Sequence, residues 1–84
     1  MGKELVGKIT HFFGKINVAV VELSGTLQQG DRISIEKDNE SFEQTADSMQ
    51  IEKEPIDHAG AGQSIGLKVG QPAGIGAQVF KITD

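Results

Sequence analysis

The sequence predicts an all-β protein of one domain, a small closed antiparallel barrel of six strands with Greek-key connections. Three observations predict it. Eleven glycines against two prolines break 84 residues into short segments, so helices of ordinary length have no room. The segments between the breaks are rich in Val, Ile and Thr, and several alternate apolar with polar. Six or so short strands are too few for a two-sheet sandwich, and closure into a ring is the economical way to remove sheet edges.

Leu5-Val6-Gly7-Lys8-Ile9-Thr10 reads as the first strand, in which Gly7 marks a bulge or a close backbone approach. Ile16 to Leu23 is almost wholly apolar, as expected of a strand with little solvent face. Ser24 to Asp31 is a turn region bounded by Gly25 and Gly30. In Arg32-Ile33-Ser34-Ile35-Glu36 the alternation points Ile33 and Ile35 inward. A polar loop is expected over Lys37 to Ser41.

From Phe42 to Ile51 the apolar parity changes, Phe42 and Ala46 on one side and Met49 and Ile51 on the other. A bulge near Ala46 to Ser48 would reconcile them. Pro55 confines the next stretch, Ile51 to Asp57, to a position that donates no ladder hydrogen bond. Ile56 and Ala59 are expected to tuck into the core. Ser64 to Val69 turns Ile65, Leu67 and Val69 inward, and Gln78 to Thr83 closes the barrel. One domain is expected over residues 1–84, with neither internal repeat nor low-complexity tract.

The order of these signals resembles the second β-barrel domain of the translational GTPases, the elongation factor Tu and initiation factor two type. The matching pieces are Val6-Gly7-Lys8-Ile9, Gly25-Thr26-Leu27-Gln28-Gln29-Gly30-Asp31-Arg32-Ile33, Asp47-Ser48-Met49-Gln50-Ile51 and Ala59-Gly60-Ala61-Gly62-Gln63-Ser64-Ile65-Gly66-Leu67. Ser48 to Ile51 and Ile65 to Val69 look most like free-standing elongation-factor-like proteins, and a similar barrel ends some collagenase-like peptidases. Asn17 stands where the family has glycine, Gln63 where it has Asp, and Ala77 follows Gly76 where Gly-Asp is usual. Asn tolerates positive φ, so the first departure leaves the fold intact. Gly30-Asp31 suits a turn in which glycine takes positive φ and Asp caps local N–H groups, and Gly60 and Gly62 do likewise.

Chemistry of the common enzyme classes is missing. With no cysteine and two histidines, neither a thiolate nucleophile nor a structural zinc site is expected. Gly2-x-x-x-x-Gly7-Lys8 ends on Ile9 instead of Ser or Thr, so it is no phosphate loop, and Gly60-x-Gly62 followed by Gly66 misses dinucleotide spacing. The barrel without its GTPase is expected to bind no GTP. Asp57 beside His58 reads as a chance neighbour, and no cofactor is expected. No apolar run approaches the length of a membrane span and no signal-peptide core opens the chain, so a cytoplasmic monomer away from membranes is expected.

The net charge of −4 opposes general binding to phosphate backbones. It is unevenly spread: residues 1–35 carry +1, residues 36–57 carry −6 with two basic and eight acidic groups, and residues 58–84 carry +1. The acidic stretch reads first as an edge that discourages sheet pairing, and second as a docking surface for a basic partner. His11-Phe12-Phe13-Gly14-Lys15 places two of four Phe side by side, and adjacent strand residues point to opposite faces. One ring is expected inside and the other is free to stack on a base or anchor a protein partner. His11, Phe12, Phe13 and Lys15 are therefore the candidate binding residues. The resemblance implies a non-enzymatic binding module in contact with RNA or the ribosome. The alternative is an accessory subunit of a separately encoded enzyme such as a collagenase-like peptidase.

Overall fold

The structure, a computed structural model, describes residues 2–83. Every regular element among them is a strand: β1 Gly2–Phe13, β2 Val18–Leu23, β3 Leu27–Gln28, β4 Arg32–Lys37, β5 Glu40–Thr45, β6 Met49–Ile51, β7 Glu54–Ile56, β8 His58–Ala59, β9 Ser64–Lys68 and β10 Gln78–Thr83. Eight form an antiparallel sheet in the order β5-β4-β10-β1-β2-β9-β6-β7, and β3 pairs with β8 apart from it. The all-β expectation holds. The ring of six strands does not: the described ladders run as an open series, and none joins β5 to β7.

The core lies inside the curl of this sheet. Val6, Ile9, Val21, Ile33, Ile65, Leu67 and Val79 are almost entirely excluded from solvent, with Phe12, Phe42, Ile51 and Ile56 packed around them. Ile33 and Ile35 point inward as the alternation requires, and so do Ile65, Leu67 and Val69.

The long first strand is shaped by two bulges. Pairing with β10 skips a residue between Leu5 and Gly7, and pairing with β2 skips one between Ile9 and His11. Gly7 is also a close approach, because a Cβ there would stand 2.6 Å from Val21 Cγ1 and 3.0 Å from the Glu22 carbonyl oxygen. At the first bulge the Val6 carbonyl accepts from Ser24 at 2.8 Å and Gly25 at 3.2 Å, which fastens the β2–β3 connection.

The expected loop over Lys37 to Ser41 shrinks to Asp38 and Asn39, the flanking residues being in strand. The parity change after Ala46 is a break rather than a bulge. Residues 46–48 leave β5 and carry the chain to the far end of the sheet, where β6 begins. Pro55 sits in β7, an edge strand. Asn17 adopts φ 54° in the β1–β2 turn.

One turn is built three times. In Gln28–Asp31, Gly60–Gln63 and Gly74–Ala77 the fourth N–H donates to the first carbonyl at 3.0, 3.2 and 3.1 Å, and the third residue is a glycine with φ of 96°, 89° and 93°. Each turn then clasps one buried residue of another segment by a reciprocal pair of bonds. Gly30 N–H donates to Ala46 O and Ala46 N–H to Asp31 O. Gly62 and Gln63 hold Leu23 in the same way, and Gly76 and Ala77 hold Ile9, all six bonds lying at 2.8–2.9 Å. Asp31 Oδ2 caps the Gln28 N–H at 2.9 Å and Gln63 Oε1 caps the Gly60 N–H at 2.7 Å, while Ala77 has no acceptor to offer.

Candidate docking face

Thr10 has no partner on β2, and this extra residue reverses the parity of β1, so that Ile9 and Phe12 both turn toward the core. Phe13 is left outside and is 52% exposed. The sequence expectation of one ring in and one out is met, with Phe12 the inner one. His11 and Phe13 share the outer face, opposite Val20 and Val18 of β2. Lys15 lies exposed in the following turn. Three of the four candidates thus lie exposed in one region, whereas Phe12 is partly buried against the core.

The sequence missed the residues that complete this face. Ile16 stands in the turn instead of β2 and is 54% exposed. Val18 and Val20 are only half-buried, on the side of β2 away from Ala19, Val21 and Leu23. Across β9, Val18 faces Lys68 and Val20 faces Gly66. Without a side chain, Gly66 leaves a trough whose walls are Val18 and Gln50, since a Cβ there would lie 3.3 and 3.1 Å from them. The continuous apolar run Val18–Val21 in β2 was the available signal: a stretch without alternation has either two buried faces or one exposed apolar face.

The electrostatics are quiet. Lys68 Nζ donates to the Ile16 carbonyl at 3.0 Å and so braces the turn. His11 Nδ1 lies 3.4 Å from Thr10 Oγ1. Lys37 and Lys81 likewise donate to the carbonyls of Ile75 and Thr26, Arg32 faces Glu43 at 3.7 Å, and Lys3 pairs with Glu36 beneath the Phe80 ring. Five of eight basic side chains are thus committed within the molecule, leaving few for phosphates. Hydrogen bonds from Lys3 and from the Ser34 hydroxyl hold the Glu36 carboxyl below the usual range.

Asp57 and His58 do touch, with Oδ1 2.7 Å from Nδ1, but both side chains are at least 74% exposed. Ser48 lines the same hollow, yet no hydrogen bond joins it to His58 among the described residues. Neither buried nor linked to a nucleophile, the pair lacks the geometry of a catalytic triad. No cluster of three or more His, Asp or Glu among the described residues could hold a metal ion. No helix there is long and apolar enough to cross a membrane.

The fold as a whole has a counterpart among solved structures. The C-terminal domain of a Geobacillus thermoleovorans protein described as a U32 peptidase superposes with a TM-score of 0.88, covering 95% of this chain and 93% of that one at 20% identity. This chain has the fold of a U32 peptidase C-terminal domain. The selenomethionine variant of the same domain gives a TM-score of 0.84 at 20% identity, over 90% of this chain and 96% of the other. A curated relative, an uncharacterised protease of Methanocaldococcus jannaschii, is 30% identical over 80 residues, which are 94% of this chain. The chain spans about one fifth of that protein's length, the aligned part being 20% of it. No family model matches. These likenesses support the peptidase side of the sequence resemblance, and the translation-factor side draws no support from them.

Proposed function

We propose that this chain is a non-enzymatic docking module that serves a peptidase of the U32 kind, held to it through the outer face of β1, β2 and β9. The observation that carries this reading is the apolar patch of Phe13, Ile16, Val18 and Val20 on a domain whose structural counterpart ends a peptidase. Two large apolar side chains more than half exposed beside two half-buried valines match the centre of a protein interface, where a few apolar anchors carry most of the binding energy. The chain itself contributes recognition, not bond cleavage.

The test is titration of this chain against the purified catalytic region of a U32-type peptidase from the same genome. A one-to-one complex is expected, weakened little by salt. Phe13→Ala and Ile16→Ala should each weaken it about tenfold or more with melting unchanged. Phe12→Ala, in contrast, should lower the melting temperature. Failure to form a complex, combined with tRNA or ribosomal RNA binding that falls steeply with salt, would return the module to the RNA or ribosome contact expected from the translation-factor resemblance.

A further inference from the structure

The main sheet ends at β5 and β7, and the two edges are finished differently. Glu52-Lys53 joins β6 to β7 as a two-residue hairpin loop with φ of 50° and 67°. In such a hairpin the flanking residues form a hydrogen-bonded pair, so Glu54 and Ile56 bond to β6 and Pro55 faces outward. Proline has no N–H and the strand has three residues, so this edge is blunt.

At β5 the loop Asp38-Asn39 sets the same phase. Glu40, Phe42 and Gln44 bond to β4, and the N–H and C=O groups of Ser41, Glu43 and Thr45 face away from the sheet. One end of this edge is stapled: the Gln44 side chain donates to the Lys68 carbonyl and accepts from the Gly70 N–H, both at 2.9 Å. At the other end the facing segment contains Pro72, which has no N–H to give to β5. There the seam opens into a hollow lined by Ile35, Phe42, Ala73 and Ala77, with Asp38, Glu40 and Lys37 as its charged residues, the Lys37 Nζ donating to the Ile75 carbonyl at 2.8 Å.

We propose that this open seam takes a short extended peptide with alternating basic residues, added to the sheet as a strand beside β5. The free main-chain groups supply a peptide's hydrogen bonds, and the apolar lining accepts every second side chain. The remaining side chains meet the charged residues. Glu43 already faces Arg32, whereas Asp38 and Glu40 have no ion-pair partner among the described residues. Around the hollow these two carboxylates face the single ammonium of Lys37, which is already turned to the Ile75 carbonyl, so a basic strand is favoured over a neutral or acidic one. This site is separate from the Phe13 face.

The experiment is a titration of the full ¹⁵N-labelled chain with a capped peptide of alternating valine and lysine, followed by amide chemical shifts. Saturable shifts and slowed exchange at Ser41 and Glu43 are expected. Asp38→Asn and Glu40→Gln should each weaken binding by about two- to fivefold, and Phe13→Ala should leave it unchanged. The proposal is overturned if β5 amides show no saturable shift, which would make the acidic edge purely repulsive. It fails equally if a valine–glutamate peptide or a backbone N-methylated valine–lysine peptide binds as tightly, or if Phe13→Ala abolishes the response.

Discussion

Gly7 does what no other residue could at its position. Its φ is ordinary, so the demand for glycine comes from space: Val21 and the Glu22 carbonyl occupy the volume a methyl group would need. Gly7→Ala should therefore cost about 1–3 kcal/mol through forced backbone displacement. Gly60, with open space around it and no positive φ, is the control, and Gly60→Ala should be close to neutral. Urea denaturation of the two variants beside the parent measures the contrast. Glu36 supplies a second test at this scale. Its carboxyl is held low in the folded state, so the stability from Lys3 and Ser34 is present above the ordinary glutamate range, about pH 4.3, and is lost as pH falls below it. The stability difference between the parent and Lys3→Met should be flat from neutral pH down to that range and then shrink, as thermal melts across a pH series would show.

Among the elements, the three repeated turns show how side chains refine a geometry that the backbone already makes. Each closes by the same main-chain bonds, whether the fourth residue is Asp31, Gln63 or Ala77, so the side-chain cap adds to the turn without creating it. Asp31→Ala should leave the fold intact and cost about 0.5–1.5 kcal/mol, the worth of one net hydrogen bond. Chemical denaturation gives the figure, and an unchanged strand content by circular dichroism would show that the clasp on Ala46 persists. The bulge at Thr10 acts on a larger scale within its strand, since it alone decides that Phe12 enters the core and Phe13 leaves it.

For the whole molecule, what could be read from the chain was whatever depends on neighbours in sequence. Alternation placed Ile33, Ile35, Ile65 and Leu67 inside, Gly7 announced its close approach, Pro55 its edge and Asn17 its positive φ. That the sheet stays open was not legible, because whether β5 meets another strand depends on where residues 68–74 run, and that is settled by contacts such as Gln44 with Gly70. The docking face was half legible. Phe13 and Lys15 stood out by composition, but Val18 and Val20 passed as core because an apolar run looks the same whether its second face meets protein or water. The likeness of the Gly30 and Gly62 turns was legible, though not that Gly60 lacks the positive φ expected of it, and the third turn stayed hidden because Ala77 replaces the capping side chain while the backbone bonds stay the same.

Those three clasps also bear on how the chain reaches this shape. Each grips a residue from a distant segment: Gly30 waits for Ala46, Gly62 for Leu23, and Gly76 for Ile9 near the opposite end of the chain. The entropy of closing a loop must be met before any such grip forms, and the last encloses most of the polypeptide. The grip of the Gly74–Ala77 turn on Ile9 therefore comes late, and the first strand gains those two bonds only after residues 76 and 77 have been made.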